Sequence, residues 1–303
     1  MRVALITSWH ERCGIAEYAH NLVKHCVGVE FTIVARPWDL QEIARATFAA
    51  DVVHLNHEGG LYAGALGNIV SVIINSRKRS VITLHSTHAG VNAHSLTSVF
   101  SAVVTHERTQ DAGFVVIPEG IPVVDVSGIT VRDVAGEAGF PMSHKGFWTT
   151  AKAAQVCGLG MLAVMPRSRH ADADGMANAL FEANTIGVEA VLDYLPEDAV
   201  ARRLAECRVV CFPYHGAPGG ISGAVRMGLA ARRPLVITEC RQFRDLLEGY
   251  RDEVFVAAST SVGDVAEKVR EAMNDSARVP SRMVEDMSWH RCGKMYADLY
   301  GRL

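Results

Sequence analysis

The sequence predicts an α/β protein made of two halves, each a parallel sheet flanked by helices. Short runs rich in Val and Ile alternate with longer stretches of helical periodicity, the pattern of β-α-β units. A chain of 303 residues that is 49% hydrophobic has enough apolar side chains for two cores. The turn-rich, aperiodic stretch from Pro118 to Val131 divides the alternation into two.

In the first half the apolar runs give strands over Val3–Thr7, Glu30–Val34, Asp51–Leu55, Ser80–Leu84, Ala102–Thr105 and Phe114–Ile117. Helices are expected between them at Glu17–His25, Asp39–Thr47, Ala63–Ser76 and Glu107–Ala112. The second half repeats the pattern. Its strands are expected at Gly136–Phe140, Met161–Met165, Gly187–Leu192, Val209–Phe212, Leu235–Thr238 and Glu253–Val256. Its helices are expected at Trp148–Gln155, Glu197–Glu206, Ser222–Ala231 and Ser261–Met273. A last helix is expected over Met283–Tyr300, with Met287, Met295, Leu299 and Tyr300 as an apolar stripe that packs back on the first half. The domains are therefore 1–125, 126–282 and a terminal helix at 283–303. Open parallel sheets bind ligands at the carboxyl ends of their strands, so two such halves are expected to face one another across a cleft.

Composition removes several function classes. Thirty Lys and Arg against 33 Asp and Glu leave a formal net charge of -3, no general attraction for nucleic acid or anionic lipid. Apolar runs such as Ile69–Ile74 are far shorter than the roughly 20 residues that span a bilayer. Seven scattered cysteines without a C-x-x-C pair suit a reducing cytoplasm rather than a disulfide framework or a structural zinc site. Thirteen histidines form no H-E-x-x-H pattern, and no metal or other cofactor is expected.

The chemistry-bearing residues lie where strands end. The first turn, Trp9 to Tyr18, lacks G-x-G-x-x-G, which disfavours a dinucleotide enzyme. It still sets Gly14 before a helix N-terminus, with Glu17 one turn on, where free amides can meet an anion or a sugar hydroxyl. The third strand runs into His54, His57 and Glu58, and the fourth into His85. His54, alternating with inward apolar neighbours, reads as a buried histidine whose hydrogen bonds are made. His57, Glu58 and His85 can exchange hydrogen bonds with a sugar. In the second half Lys145, between Gly139 and Gly146, can neutralise a departing diphosphate. The stretch Gly220, Ile221, Ser222, Gly223 and Ala224 follows a strand and opens a helix, so its amides form an anion nest. It lacks the Lys-Ser/Thr ending of a P-loop, which disfavours NTP hydrolysis.

In this order the motifs resemble the retaining GT-B glycosyltransferases of family 4, two Rossmann-like domains with parallel sheets. The matching positions are Cys13–Ala16, His54–Gly60 with Asn56 for a family Gln, His85, Ile117–Ile121, Lys145–Gly146 and Ser222–Ala224. The resemblance implies a metal-independent transfer of a sugar from a nucleoside-diphosphate sugar to an acceptor hydroxyl, with retention of anomeric configuration. It implies Gly14 near the donor phosphates, His85 near the transferring sugar, Lys145 on the diphosphate and the Ser222–Gly223 amides on the distal phosphate. The acceptor is open: polysaccharide or lipid-linked glycan by default, a modified DNA base as the minority case. Two positions depart from the family. Phe140 and Pro141 stand where it has an arginine, and Gly219 and Met227 where it has a pair of glutamates, leaving Glu239 or Arg226 to hold the ribose. A degenerate nucleotide- or sugar-binding protein and an epimerase of the same architecture, with His57 and Glu58 as its acid/base pair, are the alternatives.

Overall fold

The computed structural model describes residues 1–36, 39–58, 61–62, 64–86, 93–107, 113–167, 187–216 and 220–303. The chain forms two compact units, one of Met1–Gly120 with Pro218–Ile221 and Trp289–Leu303, the other of Ile121–Ala217 with Ser222–Ser288. The sequence predicts these divisions at 125 and 282.

Unit 1 holds a six-stranded parallel sheet in the order β2-β1-β3-β4-β5-β6. The strands are β1 (Arg2–Ile6), β2 (Glu30–Val34), β3 (Val52–His57), β4 (Arg79–Leu84), β5 (Ala102–Thr105) and β6 (Val115–Val116). Alternate side chains point to opposite faces, so a strand covered on both sides is apolar throughout. Val3 and Leu5 pack with Tyr18 and Leu22 of α1 (Gly14–His25), while Ala4 and Ile6 pack with Ile43 of α2 (Leu40–Ala49) and Ile69 of α3 (Leu66–Ser76). The first helix starts at Gly14 rather than Glu17. The short α4 (Ala93–Thr97) precedes β5. The helix expected over Glu107–Ala112 lies, beyond Glu107, outside the described residues.

Unit 2 holds a second six-stranded parallel sheet in the order β12-β11-β10-β7-β8-β9. Its strands are β7 (Arg132–Ala138), β8 (Gly160–Val164), β9 (Val188–Val191), β10 (Cys207–Phe212), β11 (Leu235–Thr238) and β12 (Phe255–Ala257). The helices that concern the site are α5 (Phe147–Val156), α6 (Glu197–Ala205), α7 (Gly223–Ala230) and α8 (Arg244–Tyr250), followed by α9 (Val262–Asn274). Strand β7 begins at Arg132, four residues before the expected start. The final stretch is two helices, α10 (Ser281–Asp286) and α11 (Trp289–Arg302), not one. Trp289, Cys292, Tyr296, Leu299 and Tyr300 of α11 recur every three or four residues and join the core around Tyr18. A Cβ at Gly120 would strike the Trp289 indole, which explains a glycine there.

Candidate functional site

In a doubly wound sheet the strand order reverses at one point, and the loops leaving the two strands there splay apart to leave a crevice. In unit 2 that point lies between β7 and β10. The loop after β7 carries Lys145 and the loop after β10 leads to Ser222. Lys145 closes a 3-10 turn (Ser143–Lys145), and Gly146 follows with φ +81, a left-handed conformation that glycine adopts without strain. A Cβ at Gly146 would stand 2.6 Å from the Pro213 carbonyl oxygen, so a side chain there would part the two loops.

The lysine folds back over the end of β7. Its Nζ lies 2.7 Å from where a Cβ would sit on Gly139, and the Ala224 Cβ lies 3.0 Å from the same point. Gly139 has φ +127, so both its conformation and its missing side chain are used. The ammonium thus stands beside the first turn of α7. Ser222 is the N-cap residue of that helix, yet its side chain makes no cap hydrogen bond. Its Oγ instead pairs with the Tyr214 hydroxyl at 3.0 Å, and Lys145 Nζ stands 5.6 Å from the Tyr214 ring centre. An N-terminus without a side-chain cap presents backbone donors and the positive end of the helix dipole. Lysine, amides and dipole are the groups that hold a diphosphate. Burial lowers the Lys145 ammonium to about 8, while the Glu137 carboxyl raises it.

Both residues suggested for the ribose are engaged in ion pairs. Arg226 is buried in α7 and forms an ion pair with Asp245 of α8, with side-chain exposures of 3% and 5%. Glu239 is exposed and binds Arg251 at 3.0 Å. Met227 packs partly buried against the unit 2 core, and Gly219 lies outside the described residues.

In unit 1 the order reverses between β1 and β3. Gly14 is the first residue of α1; it is exposed, with nothing within 4 Å of an added Cβ, and no side chain caps the helix. Glu17 lies half-buried in its first turn. His57 is buried against Tyr62, with ring centres 5.9 Å apart, and burial lowers its pKa. Glu58 accepts a hydrogen bond from Ser86 Oγ at 3.0 Å. Both ring nitrogens of His85 are engaged: Nε2 lies 2.7 Å from Asn56 Oδ1 and Nδ1 lies 3.1 Å from His106 Nε2. The Tyr18 ring meets the His85 ring edge-on at 4.5 Å. A Cβ on Gly220, which groups with unit 1, would collide with the His85 carbonyl oxygen.

His54 is fully buried with both nitrogens satisfied, by Tyr300 at 2.6 Å and Thr83 at 2.8 Å. The chain continues from Thr83 to Tyr296 at 2.9 Å and from Tyr296 to Tyr18 at 2.6 Å. These bonds tie α11 to the sheet. An open pocket of about 800 Å³ beside edge strand β2 is lined by Trp9, His10, Arg36, Glu42 and Arg45 among others, none of them singled out from sequence. Its residues come from three separate segments, so no local motif marks it. Among the described residues no cluster of His, Cys, Asp or Glu could hold a metal ion, and no helix is long and apolar enough to cross a membrane.

No protein-family model and no curated protein matches the chain in sequence. In shape it is similar to several solved glycosyltransferases. Anabaena Alr3699/HepE in complex with UDP and glucose superposes with a TM-score of 0.74 at 13% identity, covering 100% of both chains. The fold is that of a GT-B glycosyltransferase. AviGT4, a glycosyltransferase involved in avilamycin A biosynthesis, gives a TM-score of 0.69 at 16% identity, over 100% of this chain and 98% of its own. A UDP-forming α,α-trehalose-phosphate synthase from Burkholderia xenovorans, in complex with glucose-6-phosphate, gives 0.68 at 11%, over 100% and 99%.

Proposed function

We propose that the chain is a retaining, metal-independent glycosyltransferase similar to those of family 4, moving a sugar from a nucleoside-diphosphate sugar to an acceptor hydroxyl. The observation that carries this reading is the meeting of Lys145 Nζ, Gly139 and Ala224 at a helix N-terminus without a side-chain cap. HepE, of the same fold, is also known in complex with UDP-glucose.

In this reading unit 2 holds the diphosphate. Lys145 and the amides of Ile221 to Ala224 stabilise the charge that develops on the leaving group, the task a divalent cation performs elsewhere. No metal or other cofactor is required. Retention rests on the motif resemblance. In unit 1, Gly14 lets the donor phosphates approach the α1 backbone, and His85 borders the transferring sugar in a ring orientation fixed by Asn56 and His106. Glu17 and Glu58 are assigned to the sugar or acceptor side, while His57, expected there from sequence, is buried against Tyr62 and supports that wall from behind. The acceptor, a polysaccharide or lipid-linked glycan first and a modified DNA base second, is assigned to unit 1, where the pocket beside β2 offers Trp9 for a sugar face. The proposed location is the cytoplasm. An epimerase needs an acid/base pair at the sugar, and His57 is buried while Glu58 is held by Ser86, which disfavours that alternative.

The test is product formation from UDP-, GDP- and ADP-sugars in the presence of chelator, read by mass against a panel of glycan acceptors. Lys145→Ala is expected to lower turnover by roughly 10²-fold, the scale of losing one preorganised electrostatic group. His85→Ala is expected to lose transfer while keeping nucleoside diphosphate affinity. Near-normal turnover in Lys145→Ala, or equal loss of binding and transfer in folded His85→Ala, contradicts these assignments.

A further inference from the structure

Glu137 is the last residue but one of β7, a strand at the centre of the unit 2 sheet, and it is 0% exposed. Neither carboxyl oxygen has a hydrogen-bond partner among the described residues. The Thr150 hydroxyl of α5 faces it and lowers its pKa, although the two stand outside hydrogen-bond geometry. Glu137 is in register with Ala163 of β8, and Cys211 of β10 follows Val210, which pairs with Gly136. Leaving a carboxylate in such a place without donors is costly enough that an ordinary core position would not hold one.

The cation that acts on it is Lys145. Its side chain turns back across Gly139, two residues along from Glu137, and carboxyl and ammonium each act on the other's titration. Among the described residues, the other groups that interact with the carboxyl are neutral: Thr150, the Cys211 thiol and the Tyr214 hydroxyl, the last two both raised first by burial. Desolvation raises Glu137 well above the usual carboxylate range, and Lys145 pulls the other way. Where the resembled family carries an arginine before this lysine, the chain has Phe140 and Pro141.

We propose that Glu137 and Lys145 form a one-proton pair that sets the charge offered to the donor's diphosphate, which makes Glu137 a positioning residue acting through Lys145. With the carboxyl protonated the pair presents the lysine's full positive charge; with it ionised the pair is neutral. Two negative phosphates at Lys145 disfavour the carboxylate, so donor binding raises its midpoint, and between the free and bound midpoints it draws up to one proton from solvent onto a Glu137 oxygen. The proposal rests on the donor reading above for the identity of the ligand, while the pairing stands on the ligand-free protein.

Infrared difference titration reads it directly, through the carbonyl stretch of a protonated carboxyl that Glu137→Gln removes. Should Glu137→Gln not fold, Glu137→Asp keeps a carboxyl and moves the band, which makes the same assignment. In the ligand-free protein, Lys145→Met is expected to raise the pH midpoint of this band by about 1 to 3 units, the effect of losing an opposite charge nearby. UDP-glucose, whose diphosphate diester does not titrate near neutrality, is expected to raise the midpoint in the unmodified protein. A midpoint indifferent to Lys145→Met, or unmoved while UDP-glucose is bound, overturns the pair and leaves the donor reading intact. Failure of UDP-glucose to bind counts against the donor reading alone, and the Lys145→Met comparison then decides the pair.

Discussion

His106 Nε2 lies 3.1 Å from His85 Nδ1, and this contact fixes how protons are distributed across the strand ends of unit 1. His106 Nδ1 faces the Ile117 carbonyl at 2.9 Å and must donate to it. At the other end, Asn56 Nδ2 donates to Thr7 Oγ1 at 3.2 Å, and Thr7 donates onward to the Ser8 carbonyl at 3.0 Å, so Asn56 Oδ1 is the atom facing His85 Nε2. Two acceptors at the ends and one shared hydrogen bond between require three protons on four ring nitrogens, which is one positive charge. Burial and then the His106 charge lower the His85 pKa well below the ordinary value, so this charged form belongs to acidic solution.

The pair is therefore expected to take up one proton as a unit. Ring-nitrogen chemical shifts followed against pH should show a single coupled transition in the acid range. Two independent transitions near the ordinary histidine value would contradict this hydrogen-bond arrangement.

His54 makes a separate statement about stability. Burial lowers its pKa to about 3 from 6.5, so the folded state resists a proton that the unfolded chain accepts. With the folded pKa below the unfolded one, stability is full above about pH 6.5 and falls with pH by on the order of 1 kcal/mol per unit until about pH 3. Urea titrations between these limits should show a shallower loss in His54→Gln, read relative to that variant's own stability at neutral pH. An unchanged slope would remove His54 as the cause.

Gly139 offers a test of the lysine's position without touching its charge. A methyl at this residue meets Lys145 Nζ and forces a backbone at φ +127 that alanine rarely adopts. Gly139→Ala is expected to weaken nucleoside diphosphate binding by about 10-fold or more, since hydrogen bonds to charged groups contribute about 1.5–3 kcal/mol. Calorimetry on the folded variant checks it, and unchanged affinity would mean the lysine does not act from above Gly139.

The Arg226–Asp245 pair separates structure from nucleotide recognition. Asp245→Ala leaves a buried guanidinium without its carboxylate and is expected to destabilise unit 2 by about 3–5 kcal/mol. At a temperature where the variant remains folded, its diphosphate affinity should match that of the unmodified protein. A large loss of affinity there would return Arg226 to the ribose.

What the sequence disclosed follows from how local each signal is. Glu30–Val34 and Leu235–Thr238 lie in parallel sheets and are runs of β-formers, so both were legible to the residue. Lys145 and Ser222 stand out in the sequence because glycines bracket them at strand ends. Strand β7 was shortened at its start because Arg132 and Asp133 read as surface loop, and Glu137 drew no notice because no local pattern distinguishes a buried carboxyl from an exposed one. The two terminal helices read as one because neither Gly nor Pro marks the break at Met287 and Ser288. His106, Thr83 and Tyr296 were invisible for a different reason: their hydrogen bonds join residues 21 to 278 positions apart.

The central claim is that Lys145 and the start of α7 hold a nucleoside diphosphate without a metal. Calorimetry with UDP, GDP and ADP in excess chelator tests it most directly. At least one of the three is expected to bind, with the affinity unchanged when magnesium is supplied and lowered in Lys145→Ala. Binding that appears only after magnesium or manganese is added, or that Lys145→Ala leaves untouched, contradicts it.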